Sequence, residues 1–118
     1  MNSLSMLLML FTVFSLATGQ VLFKLGAVEL TGESVSELVY SFISNVYLIA
    51  VVFLYGLTII SWLWILKKTP LSVAYPMTAA SYIVVPVLCH YILGERISLN
   101  MMVGFALIFL GIVFIAWK

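Results

Sequence analysis

Four apolar runs alternate with short polar interruptions along this 118-residue chain. The runs cover roughly residues 4–27, 46–66, 71–93 and 100–117. About 20 apolar residues in a helix cross the roughly 30 Å of bilayer hydrocarbon, so each run is about long enough for one crossing. The pattern predicts an all-α integral membrane protein, with residues 1–118 forming a single domain of four transmembrane helices. The segment 28–45 is different. Ser34-Val35-Ser36-Glu37 fits a capping box, in which serine and glutamate each satisfy a free backbone N–H of the other. Val35, Leu38, Val39, Phe42 and Ile43 follow at helical spacing. This predicts a short interfacial helix or a wet first turn of the second span.

The other breaks are tight. Lys67-Lys68-Thr69-Pro70 turns the chain before the third run, and Gly94-Glu95-Arg96 turns it before the fourth. The third run contains Pro76 and Pro86. Each proline lacks an N–H, so the carbonyls of Ser72 and Tyr82 are expected to lose their helical partners. Backbone freed at membrane depth must be satisfied by neighbours or line a cavity. The two prolines are therefore expected to break the helix and to act in gating. Gly104 and Gly111 lie seven apart on one face of the last run, as do Gly19 and Gly26 in the first. Small residues in such rows let helix backbones approach closely, and Gly104 and Gly111 are candidates for dimer packing. Four thin helices enclose little, and many transporters are built from two related halves with the site between them; a dimer is expected.

Composition narrows the chemistry. Hydrophobic residues make up 65% of the chain and charged residues 8%, against about 45–50% and 25% in soluble domains. Nothing resembles the basic stripe that neutralises a nucleic-acid backbone, so no nucleic-acid partner is expected. A lone Cys89 excludes an internal disulfide. Cys89, His90 and the scattered acids have no metal-ligand spacing, and no nucleophile–base pair is present. The chain is read as a non-enzyme with no metal or cofactor. Its first run lacks an N-terminal Lys or Arg and is longer than a signal peptide's apolar core, so it is expected to stay as a span.

The nine charges fall at Lys24 to Glu37, Lys67-Lys68, Glu95-Arg96 and Lys118. Lys67, Lys68 and Lys118 lie on the side of the termini, and Lys24 and Arg96 on the other. The bias of Lys and Arg toward the cytoplasm leans toward cytoplasmic termini and leaves mixed orientation open. Gln20 lies one turn before Lys24, Ser72 and Tyr75 lie near the start of the third span, and Ser81 and Tyr82 lie near its middle. Two cations at one face, with hydroxyl and aromatic groups leading inward, suit an anionic head group whose tail stays in hydrocarbon. Lys24 also fits a simple snorkelling role. Trp62, Trp64 and Trp117 fit an aromatic belt, His90 an interfacial residue, and Glu95 an exposed loop pair with Arg96.

Several stretches resemble the small multidrug resistance superfamily and its EamA-like drug/metabolite relatives, over essentially the whole chain. They are Thr18-Gly19-Gln20 with Lys24, Pro70-Leu71-Ser72-Val73-Ala74-Tyr75-Pro76-Met77, Gly94-Glu95-Arg96-Ile97-Ser98, and the glycine-bearing last run. The resemblance implies four helices per subunit in a dimer, commonly joined through the last helix. Drug exporters of that superfamily carry a glutamate midway along the first helix; aligned on Gly19 and Lys24, that position here is Leu16. Gly19-Gln20 and Ala74 to Met77 are more similar to the branch of polyprenyl-phosphate aminosugar flippase subunits. The segment from Glu29 to Ser44 is longer than the resemblance leads one to expect.

Three readings follow. The first is a flippase subunit of the bacterial inner membrane, moving a polyprenyl-phosphate-linked sugar or related anionic lipid as a homodimer or as a heterodimer with a related chain. Lys24 and Arg96 would hold phosphate, and Gln20 and Tyr75 would bond the head group, with Ser81, Tyr82 and Glu95 also at the site. The second is a proton-coupled exporter of small cations with its acid relocated, to Glu95 for instance. The third is a non-transporting accessory membrane subunit.

Overall fold

The computed structural model describes residues 2–117; Lys118, counted above toward orientation, lies outside them. Helix α1 spans Ser3–Glu29, α2 Val35–Ile43 and α3 Val46–Lys68. The third span, Leu71–Leu93, is segmented: α4 (Leu71–Met77), a 3₁₀ turn (Thr78–Ala80), α5 (Ser81–Leu88) and a π turn (Cys89–Leu93). Helix α6 covers Leu99–Ala116. Among the described residues, four helical stretches are long and apolar enough to cross a membrane, and the protein is an all-α membrane protein.

Polar side chains start the long helices. Asn2, Asn45 and Ser98 each accept a backbone N–H from the first turn of α1, α3 and α6, satisfying donors that have no helical partner. Gly94 ends the third span with φ +71°, a left-handed conformation that glycine adopts without steric cost. In α2 both halves of the capping box are formed.

Helix α1 is central. It packs along α3 on one side and against the third span on the other, while α6 leans on the third span. The result is a slab measuring 51 × 38 × 21 Å. Met9, Val13, Ile65 and Ala74 form the core where α1, α3 and the third span meet, with Trp62 packed against it. Trp62 is thus a core and groove residue, contrary to the expected aromatic belt. Trp64 does sit at a span end, with the Lys68 ammonium 5.0 Å from its ring centroid. Buried residues fall from nine in α1 to five in α3, two in the third span and none in α6. Most of α6 is therefore open to lipid or to another chain.

Hydroxyls bind α1 to α3. The Thr12 and Ser61 hydroxyls lie 3.1 Å apart, Ser15 pairs with Thr58, and Ser61 also donates to the Leu8 carbonyl at 3.2 Å. All four residues are buried. In hydrocarbon an unpaired hydroxyl has no water to turn to, so the ladder fixes the register of the two helices. Gly19 and Gly26 serve side chains rather than helix backbones: a Cβ at Gly19 would collide with the Tyr55 ring, and one at Gly26 would come within 2.6 Å of Leu48.

The third span differs from its proline-based expectation. The helix changes form between the prolines, after Pro76, and again after Pro86. Hydroxyls add to the backbone bonds there: Thr78 donates to the Tyr75 carbonyl at 2.6 Å, and Ser81 to the Thr78 carbonyl at 2.8 Å.

Candidate functional site

Thr12, Leu16, Gln20 and Lys24 lie at successive i+4 positions of α1. Such a row slants around the helix. It passes from the buried Thr12 through the half-buried Leu16 to the exposed Gln20 and Lys24. At about 1.5 Å per residue, Lys24 lies roughly 12 Å beyond Leu16 toward one membrane face.

Two concavities flank this row. One, about 280 Å³, is lined by Thr12, Leu16, Tyr55, Trp62, Tyr75 and Thr78, among others. The second, about 620 Å³, is lined by Leu16, Gln20, Tyr75, Thr78, Ser81, Tyr82, Val85 and Pro86. They share Leu16, Tyr75 and Thr78 and form one open groove between α1 and the third span. The groove brings together Gln20, Tyr75, Ser81, Tyr82 and Pro86. By its place at the start of the third span, Tyr75 belongs toward the opposite face from Gln20. It starts there, but its exposed side chain lines the groove with Leu16 and Gln20, and beside Pro76 it lines a further concavity with Trp62 and Ser72.

Lys24, Glu95 and Arg96 are exposed and are not among the groove's lining residues. Lys24 lies near the end of α1, and Glu95 and Arg96 follow the end of the third span. Helix α1 and the third span run in the same direction, so their ends share one face. The turn that carries Glu95 and Arg96 is tied back to the third span: Glu95 N–H donates to the Cys89 carbonyl at 3.2 Å, and His90 Nδ1 lies 2.8 Å from the Glu95 carbonyl. Because that carbonyl can only accept, Nδ1 carries the proton. Gly104 and Gly111 have open space where a Cβ would stand.

Tyr55 is the residue that reasoning from sequence missed. Its hydroxyl donates to the Leu16 carbonyl at 3.3 Å and receives the Gln20 Nε2 donor at 3.5 Å. Its ring meets Phe23 edge-on, 5.6 Å between centroids, in the space left by Gly19. A tyrosine well inside an apolar span is out of place for an interfacial belt, and that signal marks it. Thr58 and Thr78, also lining the groove, had no such signal.

The arrangement presents hydroxyls, an amide and aromatic edges, with carboxylates and cations absent from the lining. An all-α membrane fold of segmented helices around an open groove is the architecture of a small transporter. The chain belongs to the EamA-like transporter family, whose model matches residues 1–117. Among curated proteins it is similar to the probable 4-amino-4-deoxy-L-arabinose-phosphoundecaprenol flippase subunit ArnE of Pectobacterium atrosepticum, 38% identical over 66 residues, which are 56% of this chain and 58% of that protein. It is also similar to the protein of that name from Yersinia pestis (strain Pestoides F), 41% identical over 69 residues, 58% of this chain and 60% of the relative. The chain spans about three-fifths of the length of the curated relatives it matches. No solved structure matches it.

Proposed function

We propose that this chain is one subunit of an inner-membrane flippase for a polyprenyl-phosphate-linked sugar or related anionic lipid. The observation that carries the reading is the groove of Leu16, Gln20, Tyr75, Ser81 and Tyr82. It is neutral, bears hydroxyl and amide groups and lies open between α1 and the third span. A polar head group can bond there while its tail stays in lipid. Lys24 and Arg96, at the span ends, hold the phosphate; Gln20 and Tyr75 bond the sugar; Ser81 and Tyr82 extend that surface. The names of the ArnE relatives support this substrate class.

A second chain completes the path. The groove lies open on a slab 21 Å in its least dimension. The uncovered face of α6, with Gly104 and Gly111 open, supports pairing there with a second copy or a related chain. Three cations against two favour cytoplasmic termini. Proton-coupled cation export lacks support in the groove. Leu16 stands where the resembling exporters keep glutamate, and Glu95 lies in an exposed turn outside the lining.

The test is binding of a polyprenyl phosphate to the purified chain by native mass spectrometry. Lys24→Ala is expected to weaken binding about tenfold, the equivalent of roughly 1.4 kcal/mol. Unchanged binding in Lys24→Ala removes the phosphate role from that residue.

A further inference from the structure

We propose that α2 is a membrane-surface element whose apolar face docks on lipid hydrocarbon chains at the bilayer boundary. The proposal stands independently of the flippase reading. Around the helix, at 100° per residue, Val35, Leu38, Val39, Phe42 and Ile43 fill one arc and Ser36, Glu37, Tyr40 and Ser41 the other, without mixing. A helix divided in this way can lie in an interface plane with its apolar arc in hydrocarbon. None of its residues is buried by the protein.

Two concavities lie on opposite sides of this helix. Leu30, Val35, Leu38, Val39 and Phe42 line an apolar one of about 350 Å³. Thr31, Gly32, Ser36, Glu37, Tyr40, Ser41 and Ser44 line a polar one of about 410 Å³. The first would be an unfavourable hollow in water, whereas the second suits the head-group layer.

The position of α2 chooses lipid as the occupant. At its start, Leu30 caps α1 and Ser34 caps α2. At its end, Asn45 caps α3 and donates to the Gly26 carbonyl of α1 at 2.9 Å. Both ends of α2 are thus held beside the ends of two membrane spans. Helix α2 therefore lies where those two spans end, with its apolar face uncovered by the protein. Nine residues give a helix about 13 Å long, too short to leave the interface while tied at both ends. It has one glutamate and no Lys or Arg, so apolar area alone must hold it, without help from anionic lipid.

The test is site-directed spin labelling in full-length protein. A Cys89→Ser background is used, with single cysteines at 36, 38, 39, 40 and 42. Protein is reconstituted in vesicles of phosphatidylethanolamine with phosphatidylglycerol, and in vesicles of phosphatidylcholine alone. Labels at 38, 39 and 42 are expected to collide more with oxygen than with a water-soluble nickel complex. Labels at 36 and 40 should show the reverse, and both lipid mixtures should give one pattern. Nickel access on both faces would place α2 in water and overturn the proposal. Low access to both reagents at 38, 39 and 42 would mean a protein partner covers the face, and would also overturn it. So would loss of the pattern in phosphatidylcholine alone.

Discussion

Replacing Asn45 by alanine tests how α1 and α3 are joined. Asn45 is 6% exposed and does two things. Its Oδ1 accepts the N–H groups of Tyr47 at 3.1 Å and Leu48 at 3.4 Å, capping α3, and its Nδ2 donates to the Gly26 carbonyl at 2.9 Å. The usual helical partner of that carbonyl is the N–H of Leu30, four residues on. Here Leu30 N–H turns to the Ala27 carbonyl instead, at 3.2 Å. Alanine therefore removes a cap and strands a buried acceptor. Losing an asparagine cap costs about 1 kcal/mol, and a stranded buried group about 1–3 kcal/mol. In membranes, interhelical bonds average nearer 0.6 kcal/mol because the unfolded chain also finds partners. Asn45→Ala should therefore destabilise by roughly 2 kcal/mol. Asn45→Ser keeps a good cap and loses only the bridge, so about half that loss is expected. Unfolding in mild detergent, followed by tryptophan fluorescence and checked by steric trapping, measures both. An Asn45→Ala protein within about 0.5 kcal/mol of the parent would refute the joint, since a cap alone is worth that much. Equal losses in both variants would refute the capping share.

Other predictions follow from single contacts. Gly19→Ala puts a methyl group into the Tyr55 ring and should cost about 1–3 kcal/mol by overpacking while weakening polyprenyl-phosphate binding. Gly56→Ala has open space around its Cβ and should leave both unchanged in the same assays. The Thr12–Ser61 pair should show a coupling of about 0.6 kcal/mol, and at most about 1.7, in a double-mutant cycle of Thr12→Val and Ser61→Ala; zero coupling removes the ladder as a register device. The Glu37 carboxyl is held below the ordinary glutamate value of 4.5 by the backbone N–H groups of Glu33 and Ser34. A carboxyl lowered on folding stabilises above its unfolded value and loses that effect as pH falls through its folded value. A spin label on α2 should therefore gain mobility as pH drops below about 4.5, and Glu37→Gln should abolish that pH dependence.

The all-α membrane class was legible because it rests on run length and charge exclusion, which each segment displays on its own. The groove was only partly legible. Gln20 and Tyr75 announce themselves as polar groups inside apolar runs, but what brings them together is the parallel packing of α1 and the third span, a long-range relation no local pattern encodes. Trp62 was misread for the same reason: its position near a span end suits a belt, and only the crossing with Met9 and Ala74 draws it inward. Proline marked the third span as irregular without locating the irregularity. The missing N–H acts on the preceding turn, yet the helix changes form at Thr78–Ala80, where the Thr78 and Ser81 hydroxyls take up carbonyls. The Gly19 signal was read as helix approach when it reports the bulk of Tyr55.

The neutral groove has a consequence for how a charged lipid would cross. Along the row from Thr12 to Lys24, the lysine lies on the last turns and the middle is held by Leu16 and the Tyr55 hydroxyl. Tyr55 spends its proton on the Leu16 carbonyl, leaving its oxygen to orient the Gln20 amide. In the proposed reading, a phosphate leaving Lys24 meets neutral donors, each worth far less than an ion pair, so it is not trapped at mid-membrane. A carboxylate at Leu16 would repel the same phosphate. The absence that argues against cation export is therefore the condition an anionic head group requires. The cations of the opposite face, Lys67 and Lys68, sit on α3, with the Lys68 ammonium over the Trp64 ring, and lie outside this groove's lining. In the proposed reading, a second chain is what supplies a receiving phosphate site at that face, and the bare face of α6 has room for one.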